Sequence, residues 1–257
     1  MSPQESESVP SKQYSAAALV PFDPESESHC ARLFAQRVAC SWDQDLIEEW
    51  KGKVREGNKF LYWIKIRDDL PGKEGLLAKH IARYPNEQEP IVDTAQAQGK
   101  SPRTPSSVSF VPIGHVALDL YPDRNERFSL PASTVWIKSL YISWAIQAGG
   151  FGRSAMHQLE HLARLPPLRA TTMALDTLTR DFQNTPESLA IYRRLRGGGG
   201  GEEEEVAPEQ QFRSNEDWYA RQGYGVVGYV TGMYKWLDRE TGREVDVPLV
   251  FMKKDLV

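Results

Sequence analysis

The stretch VWIKSLYISWAIQAGGFGRSAMHQLEHLARL, Val135 to Leu165, constrains the fold more than any other part of the chain. It begins as a run rich in β-branched and aromatic residues, the composition of a half-buried strand. It ends with Ala155, Met156, Leu159, Leu162 and Ala163 at helical spacing, which form one apolar stripe. Between the two lie Ala148, Gly149, Gly150, Phe151 and Gly152, with a helix expected from about Arg153. A strand that passes through a glycine turn directly into an amphipathic helix needs a sheet with a helix packed on it. That excludes all-α and all-β architectures.

The flanking sequence extends the pattern. HCARLFAQRVA and WDQDLIEEWKGKVREG read as helices, the second with Leu46, Ile47 and Trp50 on one face. FLYWIKI (60–66), VPIGHVALDL (111–120) and RATTMALDTL (169–178) read as strands. PESLAIYRRL is a helix with Pro186 suited to its first turn. SNEDWYARQ is another, capped by Ser214 or Asn215 and stopped at Gly223. VVGYVTGMYKW and VPLVFMKKDL close the chain as a hairpin. The expected fold is α/β (α+β), with helices on a central sheet. Residues 1–13 read as a disordered tail, and 14–257 as a single domain with mobile insertions at about 84–107 and 196–213.

Bulk properties narrow the function classes. The chain has 257 residues, enough for one large core, with 40% hydrophobic and 26% charged residues and a net charge of -4. That balance gives no basic face for nucleic acid. Cys30 and Cys40 are too few for a disulfide framework and read as reduced thiols. With no apolar signal segment and no run of membrane-spanning length, the expectation is a cytoplasmic protein with neither a membrane nor a nucleic-acid partner.

Two motifs overlap in the opening stretch. Gln147, Gly150 and Gly152 form Q-x-x-G-x-G, a turn whose free amides sit at the positive end of a helix dipole, where Arg153 could add a charge-assisted contact to a phosphate. A tight ligand-free turn would have the same sequence. His157, Glu160 and His161 form H-x-x-E-H, the spacing of a zinc peptidase helix. A third ligand would have to come from the run Glu202–Glu205, and the apolar stripe turns His157 and His161 outward. The expectation is therefore an anion-binding loop and no metal.

KSLYISWAIQAGGFGRSAMHQLE resembles the acetyl-CoA-binding core of the GNAT superfamily of N-acetyltransferases. The matching positions are Leu140, Tyr141 and Ile142, the end of a strand, followed by Gln147, Gly150 and Gly152. YARQGY, Tyr219 to Tyr224, resembles the family's Y-x-x-x-G-F with Tyr for Phe, and the terminal hairpin fits as well. The W-Y-x-R-Q-G-Y sequence looks most like a fungal-type branch. The low-complexity insert departs from the family pattern and leaves two tyrosine-bearing helices, with Tyr192 and Tyr219.

The resemblance implies a mostly antiparallel sheet splayed in the middle, with acetyl-CoA as cosubstrate and no metal. It implies direct transfer of acetyl to a primary amine through a tetrahedral intermediate. Amides near Leu140, Tyr141 and Ile142 would polarise the thioester, and Gln147, Ala148, Gly149, Gly150, Phe151, Gly152 and Arg153 would hold the pyrophosphate. Asn184 would contact pantetheine. Tyr219, the tyrosine followed by a Gly-aromatic step, would protonate the leaving thiolate. Asp176 is the candidate base because it lies in an apolar strand where burial raises a carboxyl; a capping or salt-bridging aspartate is the alternative. Asp119 and Glu160 are further candidates. The acceptor is expected to be a small amine, with a peptide, a homodimer or a non-catalytic acyl-CoA-binding module left open. The seven tryptophans and the 84–107 segment could form an aromatic pocket for it.

Overall fold

A computed structural model describes residues 16–197, 213–238 and 242–256. The expected tail and most of the 196–213 insertion lie outside these residues. The helices are α1 (Glu27–Cys40), α2 (Ile47–Arg55), α3 (Lys73–Arg83), α4 (Pro122–Arg127), α5 (Phe151–Arg164), α6 (Arg180–Gln183), α7 (Pro186–Gly197) and α8 (Asn215–Ala220). The strands are β1 (Ala17–Pro21), β2 (Lys59–Ile66), β3 (Ile91–Val92), β4 (Ala97–Gln98), β5 (Ser101–Pro102), β6 (Ser109–Phe110), β7 (Pro112–Asp119), β8 (Thr134–Ile142), β9 (Thr172–Leu178), β10 (Gly225–Asp238) and β11 (Arg243–Asp255).

Seven strands form one sheet in the order β1-β2-β7-β8-β9-β11-β10. Its neighbours are antiparallel except β8 and β9, which run parallel because α5 crosses back between them. The alternation along β8 sets the layers. Val135, Ile137 and Ile142 pack with Met156 and Leu159 of α5 on one face. Trp136 packs with Ala174 and Phe251 on the other, the face on which Trp50 and Val54 of α2 cover Leu61, Trp63 and Ala117. Ala155, Met156, Leu159 and Ala163 are fully buried, and each Met or Leu among them contributes about 1.5–3 kcal/mol.

Leu46 departs from the expected α2 face. It ends a separate 3-10 turn, which rotates it outward to 38% exposure, and the buried stripe is Ile47, Trp50 and Val54. Segment 84–107 carries local structure: β3 pairs with β6 and β4 with β5. Asp93 organises it, accepting from Arg103 at 2.6 and 2.8 Å and from Ser106 N and Oγ at 2.9 and 2.7 Å. The Arg103 guanidinium, helped by Ser106, holds the Asp93 carboxyl well below the usual carboxylate range.

A buried ion pair ties β2 to β7. Lys59 Nζ donates to both Asp119 oxygens at 2.8 and 2.9 Å, lies 4.4 Å from the Trp50 ring centroid, and shares Asp119 with the Tyr121 hydroxyl. Removing one partner of such a pair strands the other charge. Lys59→Met is expected to lower the unfolding free energy in a denaturant titration by about 3–5 kcal/mol, and adding Asp119→Asn should recover part of it.

Candidate active site

The parallel pairing of β8 with β9 runs from Thr134–Thr172 to Ile137–Leu175 and stops. On β8, Ser139 takes φ 57 and the register against β7 shifts between His115 and Ala117, a bulge that bends the strand. On β9, Asp176, Thr177 and Leu178 stay paired with Phe251, Val250 and Leu249 of β11. The two strands therefore diverge, and the β8 backbone from Lys138 to Ile142 faces a gap. Gly114 lets β7 follow the bulge, since a Cβ there would lie 2.1 Å from Tyr141 O.

The gap opens into a cavity of about 350 Å³. Leu140, Tyr141, Ile142 and Gln147 line one side, Asp176 the other, with Tyr192 and Tyr219 contributed by the later helices. Trp42, Trp144 and Trp236 line it too. The 84–107 segment contributes nothing to this lining, so the aromatic wall comes from elsewhere.

Beyond Ile142 the chain turns into α5. Ala148 (φ 67) and Gly150 (φ 79) take left-handed conformations, and Gly150 is the N-cap. Among the described residues no side chain caps α5 and no acid sits in its first turn, an arrangement that suits an anion at the positive end of the helix dipole. The glycines serve different ends. Gly150 supplies the backbone angle with open space around it. Gly149 makes room for the Phe151 ring (2.7 Å from a Cβ) and Gly152 for Trp218 (3.3 Å). Gln147 Nε2 donates to Ile142 O at 3.3 Å, tying the loop to the end of β8.

Tyr219 sits in α8, whose first turn is closed by Ser214 Oγ accepting from Asp217 N at 3.1 Å. Its ring is edge-on to Trp218 and Tyr224, with centroids 4.8 and 5.9 Å away. Burial, with the Asp176 carboxylate nearby, raises the Tyr219 phenol above its ordinary range, so it stays protonated at neutral pH. The Tyr192 hydroxyl accepts from Gln183 Nε2 at 2.8 Å.

Two expected site residues have a different setting. Asn184 is exposed and outside the cavity lining; the one-turn α6 directs Gln183 inward instead, and Gln183 Oε1 accepts from Asn215 N at 2.7 Å. Asp176 is half-buried with its side chain 5% exposed, and its Oδ1 accepts from Lys138 Nζ at 2.7 Å and Arg124 Nη1 at 2.9 Å. Both are charge-assisted hydrogen bonds. It is the salt-bridging aspartate of the two alternatives.

Lys138, Arg124, Tyr234 and Arg37 had no motif to announce them. Arg37 lines the cavity and donates to Trp42 O (2.8 Å), Asp43 (3.2 Å) and His115 Nε2 (3.4 Å). His115 Nδ1 donates to Gln36 Oε1 at 2.9 Å, and burial, with Arg37 beside it, holds the ring well below its usual pKa and neutral. On α5, His157 and His161 are exposed, while Glu160 accepts from Tyr224 Oη (3.1 Å) and Lys254 Nζ (2.7 Å). No cluster of three metal-ligating side chains occurs among the described residues. Nor is any helix among them long and apolar enough to cross a membrane.

No protein-family model matches the chain, and no curated protein matches it. Solved structures do. The chain is similar to NAA60 of Arabidopsis thaliana in complex with acetyl-CoA, with TM-score 0.50 and 11% identity over 93% of this chain and 98% of that one. It is also similar to the aminoglycoside 6'-N-acetyltransferase of Enterococcus faecium, with TM-score 0.48 and 12% identity over 93% and 97%. A third is a protein classed with the GNAT acetyltransferases from Desulfovibrio desulfuricans, with TM-score 0.46 and 13% identity over 94% and 100%. The chain has the GNAT acetyltransferase fold, with the central splay between the parallel strands β8 and β9.

Proposed function

We propose that the protein is an acetyl-CoA-dependent N-acetyltransferase that acetylates a primary amine, in the first instance that of a small molecule. The observation that carries this reading is the gap between β8 and β9 leading into the uncapped amino end of α5. NAA60, which shares the fold, is complexed with acetyl-CoA. The residues fit that cosubstrate: the amides from Ala148 to Arg153 suit a pyrophosphate, and the unpaired edge at Leu140, Tyr141 and Ile142 suits an extended amide chain. Bound acetyl-CoA supplies the acetyl thioester. The β8 edge orients its carbonyl for attack by a neutral amine, and a C–N bond forms as the C–S bond breaks. The amine loses one proton to water, and Tyr219 Oη delivers one to the departing sulfur.

The test is calorimetric titration with acetyl-CoA, expected to give a Kd of roughly micromolar order. Gly150→Glu is expected to weaken binding at least about a hundredfold, because it sets a carboxylate against the diphosphate and a side chain at φ 79. Wild-type protein that does not bind acetyl-CoA would sink the transferase reading. A peptide acceptor is the second reading, to be separated by comparing small amines with N-terminal peptides.

A further inference from the structure

One end of the cavity holds more positive than negative charge. Lys138 and Arg124 both donate to the same oxygen of Asp176, at 2.7 and 2.9 Å. The Tyr234 hydroxyl completes the cluster, accepting from Lys138 Nζ at 3.2 Å and from Arg124 Nη2. On the neighbouring strands, Lys59 and Asp119 balance each other. Among the described residues, one carboxylate therefore answers two cations.

Both cations are fixed. The Arg124 guanidinium carbon lies 4.4 Å from the Tyr121 ring centroid and 5.6 Å from that of Trp136. Lys138 lines the cavity with its side chain 18% exposed. Burial works against its charge, but Asp176 and Tyr234 outweigh burial and hold its pKa above the ordinary lysine range. An ammonium has three N–H groups, and two of these are used on Asp176 and Tyr234. One carboxylate shared by two cations leaves net positive charge at this end of the cavity, which a bound anion would balance.

We infer that the acceptor is an amine that also carries a carboxylate, of the amino-acid class, and that Lys138, braced by Asp176 and Arg124, binds that carboxylate. The inference rests on the transferase reading and names its substrate class. The diphosphate has its own place at the start of α5, beyond the far end of β8 from Lys138. Trp42 and Trp236 line the same cavity and offer apolar walls to the rest of the acceptor. A cation beside the acceptor also favours the neutral, attacking form of its amine. Polycationic acceptors would add like charge to a site already in excess.

The test uses matched probes against the full chain. N-acetyl amino acids with aromatic, aliphatic and acidic side chains, and their N-methylamides, are titrated with and without CoA. Amino acids are compared as acceptors with the corresponding decarboxylated amines. At least one carboxylate-bearing probe should bind or turn over about thirtyfold better than its neutral partner, the size of one buried charge pair. Lys138→Met should reduce that ratio to near unity while the acetyl-CoA Kd stays within about twofold, and Lys138→Arg should keep part of it. Asp176 retains Arg124 in either variant, so the fold has no stranded charge. Equal or better binding of the neutral partners, no binding by any probe, or a preference that survives Lys138→Met would overturn the inference. Failure to bind acetyl-CoA would instead count against the transferase reading, and the titrations without CoA would still decide the carboxylate question.

Discussion

Tyr219→Phe is expected to lower kcat by about 10²- to 10⁴-fold, the usual contribution of a positioned general acid, with acetyl-CoA affinity unchanged. The phenyl ring keeps the edge-on packing against Trp218 and Tyr224, so the loss isolates the hydroxyl. Tyr192→Phe gives up the contact from Gln183 Nε2 and should stay within about threefold of wild type. Single-turnover measurements are needed so that product release does not mask the chemical step. Wild-type kcat in Tyr219→Phe, or a collapse in Tyr192→Phe, would move the acid to the other helix. The pH profile gives a second check. Tyr219 starts from an ordinary value of 10.0 and burial raises it, so the donor stays protonated through that pH. An alkaline loss of kcat with a midpoint below about 10 must then belong to another group.

Much of this site was legible in the sequence because it is built from local signals. The strand, glycine turn and helix of Val135–Leu165 follow one another without a tertiary partner. The stripe from Ala155 to Ala163 has a single period, and Gly150 meets the left-handed angle its turn requires. What stayed hidden depends on residues far apart. Asp176 sits in an apolar strand, but its partners Lys138 and Arg124 lie 38 and 52 positions away, so nothing in LDTL announces an ion pair. The bulge that opens the gap is centred on Ser139, and a serine at positive φ leaves no sequence signature. At Asn184, a single-turn helix points Gln183, not its neighbour, at Tyr192 and Asn215. The order in 84–107 turns on Asp93 meeting Arg103 across ten residues without periodicity.

Gly114→Ala carries the largest expected structural penalty, and it tests whether the splay depends on β7 as well as on β8. The added methyl would lie 2.1 Å from Tyr141 O, 3.0 Å from Tyr141 C and 3.1 Å from Ile142 Cα. All three are backbone atoms, so no side-chain rotation relieves the clash, and the strands must separate by about 1 Å to reach ordinary contact distance. The pairings at risk are Gly114–Ile142, His115–Tyr141 and the 2.8 Å bond from Ser143 N to Ile113 O. Losing them together with local packing should cost about 3–5 kcal/mol in a denaturant titration. Gly75→Ala in α3, with open space around it, is the contrasting control and should be stabilising by about 0.5–1 kcal/mol. The displaced segment of β8 is the one whose free edge is proposed to hold the pantetheine chain. Acetyl-CoA affinity in Gly114→Ala, measured well below its melting temperature, should therefore fall at least about tenfold in the protein that remains folded. Lost stability with intact affinity would mean that β7 supports the fold without shaping the gap. Loss of both would make Gly114 the residue that lets an otherwise continuous sheet open at its centre.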